Sequence, residues 1–193
     1  MVSKHRQLCW FFVICIVPLQ FLQAQTQVIS LKDALETRGT VIFFRHALAP
    51  GFGDPTNFKV DDCATQRNLD IRGREQSKRI GEAFKVLDFA TNTVHSSPWC
   101  RCLETARLMD IGPVESFEGL GSFFEGHVDR QVTLKLLSDK LLTISNRNET
   151  PAIMITHQVV ISAITRLVTS SGEAILYYPK QNISSRIRLT END

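Results

Sequence analysis

The sequence has almost no net charge. Its 193 residues carry 22 Lys and Arg against 20 Asp and Glu, a formal +2. Two of the cations, Lys4 and Arg6, lie in an N-terminal stretch that reads as removable, so the remainder is near neutral. A nucleic-acid-binding protein would carry a basic footprint, and none is visible. The sequence pI of 8.3 does not alter this. Cysteine is scarce: there are five, and only Cys63, Cys100 and Cys102 fall beyond residue 24. The Cys100–Cys102 spacing is not that of a structural zinc site, and no nearby histidine completes one. Internal repeats, low-complexity tracts and linkers are also missing, so nothing divides the chain into several domains.

A long apolar run is absent too. The stretch from Leu8 to Leu22 is interrupted by Pro18 and Gln20, and is too short and broken to favour a spanning helix. With Lys4 and Arg6 before it and Leu22-Gln23-Ala24 at its end, it has the parts of a secretory signal cleaved after Ala24. The expected organisation is a signal peptide over residues 1–24 and one domain over residues 25–193. The protein is then exported, periplasmic or extracellular, with no stable membrane insertion after cleavage. An oxidising compartment permits disulfides. Three cysteines allow at most one intrachain bridge, from Cys63 to Cys100 or Cys102; three reduced thiols are the alternative. The sequence carries no signature of an oligomeric state.

What the chain does have is alternation. Thr40-Val41-Ile42-Phe43-Phe44 and Pro151-Ala152-Ile153-Met154-Ile155 are short apolar runs of strand character. Thr93 to Ser96 and the segment after Val114 read as further strands. Ala174 to Tyr178 and Ser185 to Leu189 read as a closing hairpin bent at Pro179 to Asn182. Helices are expected from Ser30 to Arg38, from Asp70 (as N-cap) to about Leu87, from Pro98 in a first turn onward, from Asp129 to Ser145, and from Val159 to Thr169. Ile80, Phe84 and Leu87 are expected to share one face. Strands alternating with helices predict a three-layer α/β/α sandwich with a mostly parallel central sheet. The stretch from Ala47 to Arg67, with Pro50, Gly51, Gly53 and Pro55, reads as a long loop, and long loops in compact domains are often functional.

Arg45-His46 follows the first apolar run, and Thr156-His157 follows the other. In an open α/β sheet, ligands sit just beyond the carboxyl ends of strands. Arg101 lies early in the helix that opens near Pro98. Two imidazoles and two guanidiniums at one rim suit an anion. Phosphoryl transfer needs charge held around three equatorial oxygens, which guanidiniums do bidentately. A neutral imidazole can attack phosphorus and divide one difficult step into two.

These residues resemble the histidine phosphatase superfamily. Phe44-Arg45-His46-Ala47 is similar to its Arg-His-Gly signature, and Leu69-Asp70-Ile71-Arg72-Gly73-Arg74-Glu75-Gln76 to its Leu-Thr-x-x-Gly-x-x-Gln helix start. Ser97-Pro98-Trp99-Cys100-Arg101-Cys102-Leu103-Glu104-Thr105-Ala106 resembles its Ser-Pro-x-x-Arg-x-x-x-Thr-Ala helix, and Ile155-Thr156-His157-Gln158 its late Thr-His element. The four occur in the family's order. The resemblance implies a phosphoglycerate mutase-like fold and a metal-independent phosphomonoester hydrolase that needs no cofactor. His46 would be the phosphorylated nucleophile, and Arg45, Arg101 and His157 the phosphate clamp. The partner implied is a small phosphorylated substrate. The small exported bacterial phosphatases are the subgroup it is most similar to.

Two departures stand out. Ala47 replaces the usual glycine. Where many members carry a catalytic glutamate, this chain reads Leu120-Gly121-Ser122; Glu125 is the nearest downstream candidate for the general acid and Glu118 precedes it. Lacking an acid altogether, the site would suit good leaving groups such as that of a phosphohistidine. Two other activities therefore stand beside the hydrolase: a non-catalytic phosphate-binding module on the same fold, and a protein phosphohistidine phosphatase.

Overall fold

The computed structural model describes residues 27–190. The expected signal peptide over residues 1–24 lies outside the described residues.

Seven strands form one sheet: β1 (Val28–Ser30), β2 (Val41–Arg45), β3 (Val94–Ser96), β4 (Val114–Ser116), β5 (Ala152–Thr156), β6 (Ala174–Tyr178) and β7 (Ile183–Arg188), in the spatial order β1-β7-β6-β2-β5-β3-β4. The strands from β2 through β5 and β3 to β4 run parallel, while β6 pairs antiparallel with both β2 and β7. Five helices cover the faces: α1 (Leu31–Glu36), α2 (Ile71–Val86), α3 (Cys100–Met109), α4 (Arg130–Arg147) and α5 (Gln158–Thr165).

Period-two alternation sorts β2 between two cores. Ile42 and Phe44 pack with Leu31 and Ala34 of α1, Ile80 and Phe84 of α2, and Ala106 and Met109 of α3. Val41 and Phe43 pack with Leu137 and Leu141 of α4, and Val160 and Ile161 of α5. The sheet is thus buried on both faces, as parallel sheets are. The three-layer sandwich predicted from the alternation is the observed architecture.

Several details differ from the sequence reading. Pro98 precedes α3 instead of filling its first turn. Trp99 at the cap is extended, fully buried, and donates its indole N–H to Asp54 at 3.2 Å. Helix α3 ends at Met109, where Asp110 turns left-handed (φ 51°), before Gly112-Pro113. Helix α5 stops at Thr165, four residues short of the expected end, because Arg166 adopts φ 61°. Leu87 is the C-cap of α2 and stands partly exposed instead of joining Ile80 and Phe84 in the core. Strand β1 was not expected; its three residues carry no readable alternation, and its place comes from pairing with β7. Asp70 and Asp129 cap α2 and α4, accepting from the N–H groups of Gly73 and Val132.

Candidate functional site

Register assembles the floor of the site. Arg45 of β2 pairs with Thr156 of β5, so the next residue of each chain segment, His46 and His157, leaves the sheet side by side. The His46 N–H donates to the Thr156 carbonyl at 2.9 Å, and the two imidazole centroids are 5.5 Å apart. Both residues are almost fully buried. Nδ1 of His46 lies 2.8 Å from the Ala47 carbonyl oxygen. A carbonyl only accepts, so Nδ1 carries the proton and a neutral ring keeps its lone pair on Nε2. The Ala47 N–H is in turn held by Thr105 Oγ1 at 3.0 Å, which ties this turn to α3. Nε2 of His157 lies 2.9 Å from Ser97 Oγ, and its Nδ1 is 3.5 Å from Nη2 of Arg101.

Arg45 is fixed by donation to the Gln158 side-chain oxygen (3.1 Å) and the Thr169 carbonyl (2.7 Å). Arg101, which taken alone reads as a solvated helix residue, is 3 % exposed. It makes a two-pronged bond to Asp54, Nη1 to Oδ1 at 2.8 Å and Nη2 to Oδ2 at 3.1 Å. Asp54 also accepts from the Arg67 backbone N–H at 2.9 Å. Arg67 reaches the Gly53 and Ala49 carbonyls. The 47–67 loop thereby becomes the wall of the site. A bridge between Cys63 and Cys100 fastens this wall to the start of α3, and Cys102 is a free, buried thiol. Of the two pairings the sequence allowed, the one through Cys100 forms. Gly73, the motif glycine of α2, has a different use: a Cβ there would meet the Leu48 carbonyl oxygen at 2.0 Å, so the loop packs directly on the helix. Gln76 accepts from the Leu48 N–H and donates to the Ser171 carbonyl.

Floor and wall enclose a cavity of about 260 Å³ whose lining includes Arg45, His46, Asp54, Arg67, Arg101 and His157. Three guanidiniums and one carboxylate leave two positive charges when the histidines are neutral. They are held neutral: burial, then the Arg101 charge, pushes both imidazoles well below their ordinary range, with Arg67 and Arg45 adding to it. Burial alone would raise the Asp54 carboxyl, but the hydrogen bonds from Arg101 and Arg67 outweigh that and keep it ionised. The cavity therefore matches a dianion in charge. Nε of Arg45 and Nε of Arg101 are buried without a hydrogen-bond partner among the described residues. An unpaired buried donor costs roughly 1–3 kcal/mol. The N-terminus of α5, with Gln158 and Val159 lining the cavity, faces the same space.

The structure thus brings together Arg45, His46, Arg101 and His157, as the sequence anticipated. Glu125 is not among the cavity-lining residues; its carboxylate accepts from the Asp54 backbone N–H at 3.1 Å and lies 3.6 Å from Nε2 of His127. Glu118, in the turn before Leu120, is exposed and also outside the lining. Sequence reasoning missed Asp54, Arg67 and Ser97. An acid and an arginine inside a long Gly/Pro-containing loop were the only available signal for the first two. Among the described residues no group of three or more His, Cys, Asp or Glu side chains is placed to hold a metal ion.

No protein-family model matches the sequence, and no curated protein does. Solved structures do match in shape. The protein histidine phosphatase SixA complexed with tungstate superposes with a TM-score of 0.52 at 15% identity, covering 76% of this chain and 93% of that one. The alpha-ribazole phosphatase of Shigella flexneri gives 0.54 at 14% identity, over 76% and 94% of the two chains. The phosphoserine phosphatase of Entamoeba histolytica, in complex with 3-phosphoglyceric acid, gives 0.50 at 14%, over 76% and 94%. The chain has the phosphoglycerate mutase-like fold. At such identities the likeness extends to architecture; chemistry has to be argued from the cavity.

Proposed function

We propose that this protein is an exported, metal-independent phosphomonoester hydrolase that works through a phosphohistidine on His46. The observation that carries the reading is the cavity's charge: three guanidiniums less one carboxylate around two neutral imidazoles, one with its lone pair on Nε2.

In the first step the Nε2 lone pair of His46 attacks phosphorus. The bond to the leaving oxygen breaks, its electron pair departs with that oxygen, and the oxygen takes a proton from solvent. Arg45, Arg67 and Arg101 balance charge on the equatorial oxygens, and His157 lies beside His46 to bind the same group. In the second step water attacks the phosphohistidine, the P–N bond breaks, its electron pair returns to Nε2, and water gives up a proton.

The test is phosphatase assay of the protein with and without EDTA, together with a labelled phosphodonor. Turnover should survive EDTA, and base-stable, acid-labile label should appear on the protein. His46→Ala should abolish the label and lower kcat by on the order of 10³-fold or more. Undiminished activity in that variant would refute the assigned nucleophile. Binding of vanadate with neither label nor released phosphate would leave a phosphate-binding module instead.

One observation favours a second activity. Among the described residues Asp54 is the only carboxyl lining the cavity; it is held ionised, and so cannot protonate a leaving alkoxide. A phosphohistidine substrate leaves as an imidazole, which needs less help. Comparing kcat/KM for a phosphohistidine peptide with that for alkyl phosphates decides between the two.

A further inference from the structure

The cavity has a second character that phosphate binding leaves unexplained. Its mouth carries Phe52, 87 % exposed, set edge-to-face against Phe124 at 5.2 Å between centroids (interplanar angle 88°). Both rings, with Val159, line the same cavity as Arg45 and Arg101. An aromatic residue this exposed forfeits burial that most such side chains obtain. It does so at a defined place. Phe52 lies between Gly51 and Gly53, at φ 97° and 66°, backbone conformations that glycine adopts without strain.

Glu125 holds this arrangement. Its carboxylate accepts the Asp54 N–H, and a Cβ on Gly53 would fall 2.4 Å from its Oε1, so the acid lies directly on the Gly53-Asp54 backbone. Glu125 itself adopts φ 61° in the turn that carries Phe124. One side chain therefore clasps the loop bearing Phe52 to the turn bearing Phe124.

Resting on the phosphatase reading, we propose that the substrates are small phosphomonoesters whose leaving group carries a flat aromatic ring close to the phosphate. The phosphate occupies the guanidinium floor, and the ring packs in the corner formed by Phe52 and Phe124. Glu125 is then a positioning residue of that corner. The occupant is argued from continuity: the apolar corner and the dianion site are two ends of one cavity of about 260 Å³. A ring packed in such a corner gains beyond its buried area, and roughly tenfold in affinity is expected, about 1.4 kcal/mol.

Non-hydrolysable phosphonates separate recognition from chemistry. By titration calorimetry, benzylphosphonate should bind the protein at least about tenfold more tightly than methylphosphonate. In Phe52→Ala that ratio should fall to within about threefold. Glu125→Ala should shrink the ratio, whereas Glu125→Gln, which still accepts the Asp54 N–H, should retain it. Equal affinities in the unaltered protein, or full discrimination in Phe52→Ala, would overturn the aromatic corner. A Glu125→Gln protein as impaired as Glu125→Ala would overturn the positioning role. Failure of the phosphatase reading has a different signature: discrimination between phosphonates without any His46-dependent label. Failure of both phosphonates to bind would remove the anion site itself.

Discussion

The floor and the wall of the cavity are built in opposite ways. The floor is made by strand register: Arg45, His46 and His157 stand at or just beyond the ends of two paired, largely buried strands, and backbone hydrogen bonds fix them. The wall is made by side chains. Asp54 sits in a loop with no strand partner, and reaches Arg101 across 47 residues of sequence. The floor's position follows from folding the sheet at all, whereas the wall's depends on polar bonds, one disulfide and loop packing such as Phe58 stacked on Trp99 at 5.2 Å. A site with a floor fixed by strand register and a separately tied wall can be damaged in one part while the other stays intact.

Within the wall, the largest expected consequence is at Asp54. Asp54→Asn keeps size and one acceptor, but removes the charge that aligns the Arg101 guanidinium. Breaking one side of a buried pair costs about 3 kcal/mol of stability. Misplacing a clamp by an ångström costs about 10²-fold in rate. The expected pattern is a kcat reduced by about 10²-fold, with vanadate affinity reduced far less, because all three cationic groups remain. Equal losses in both would mean that Asp54 orders the anion site as a whole and that floor and wall are not separable.

A smaller effect is expected from the tether. The Cys63–Cys100 bridge spans 37 residues. Closing a loop of that length restricts the unfolded chain by up to about 4 kcal/mol in the chain-entropy account. Cys63→Ser/Cys100→Ser should lower the unfolding midpoint accordingly, while His46 still takes up label from a phosphodonor. In the single variant Cys100→Ser, Cys102 should not form a new bridge to Cys63 under mild oxidation; burial pushes its thiol pKa up to about 12, so it has almost no thiolate with which to exchange. Loss of labelling in step with stability would show that the floor depends on the loop after all.

The same contrast explains what the sequence could tell. His46 and His157 were legible because each follows an apolar run, and a run of that kind fixes both a strand and the point where it ends. The fold was legible for the same reason, with Ile42 and Phe44 on one face and Val41 and Phe43 on the other. Asp54, Arg67 and Phe52 were not legible: no periodicity governs a loop, and the partners that give them meaning lie on other elements. Arg101 was legible as a member of the basic cluster around the cavity, but its bond to Asp54 was not. Glu125 was singled out as an acid because of its place after Leu120-Gly121-Ser122; the backbone it contacts comes from a loop some seventy residues earlier.

The finest expected difference between the two parts is in their response to acid. His46 and His157 have folded-state pKa values lowered by burial and by Arg101. A group lowered in this way binds its proton in the unfolded chain first, so stability declines as pH falls below about 6.5, the unfolded value. Asp54 is also lowered, but from an ordinary carboxyl value of 3.8. Its contribution is therefore complete above that value, and is lost only as pH falls through the folded pKa. Between pH 7 and 5 the floor should weaken the fold while the wall holds. Urea unfolding across that range should show a slope of as much as about 1.4 kcal/mol per pH unit for each histidine. His95, also lowered by burial, adds to the total, so the decisive measurement is a difference: His46→Asn should flatten the slope by about one proton's worth. Activity should behave in the opposite sense. Because His46 stays neutral below 6.5, kcat at saturating substrate, where ionisation of the free phosphomonoester near pH 6 no longer enters, should pass through that pH without a break. A fall centred at 6.5, or an unfolding slope that His46→Asn leaves unchanged, would mean that the floor imidazole is solvated and charged like any surface histidine.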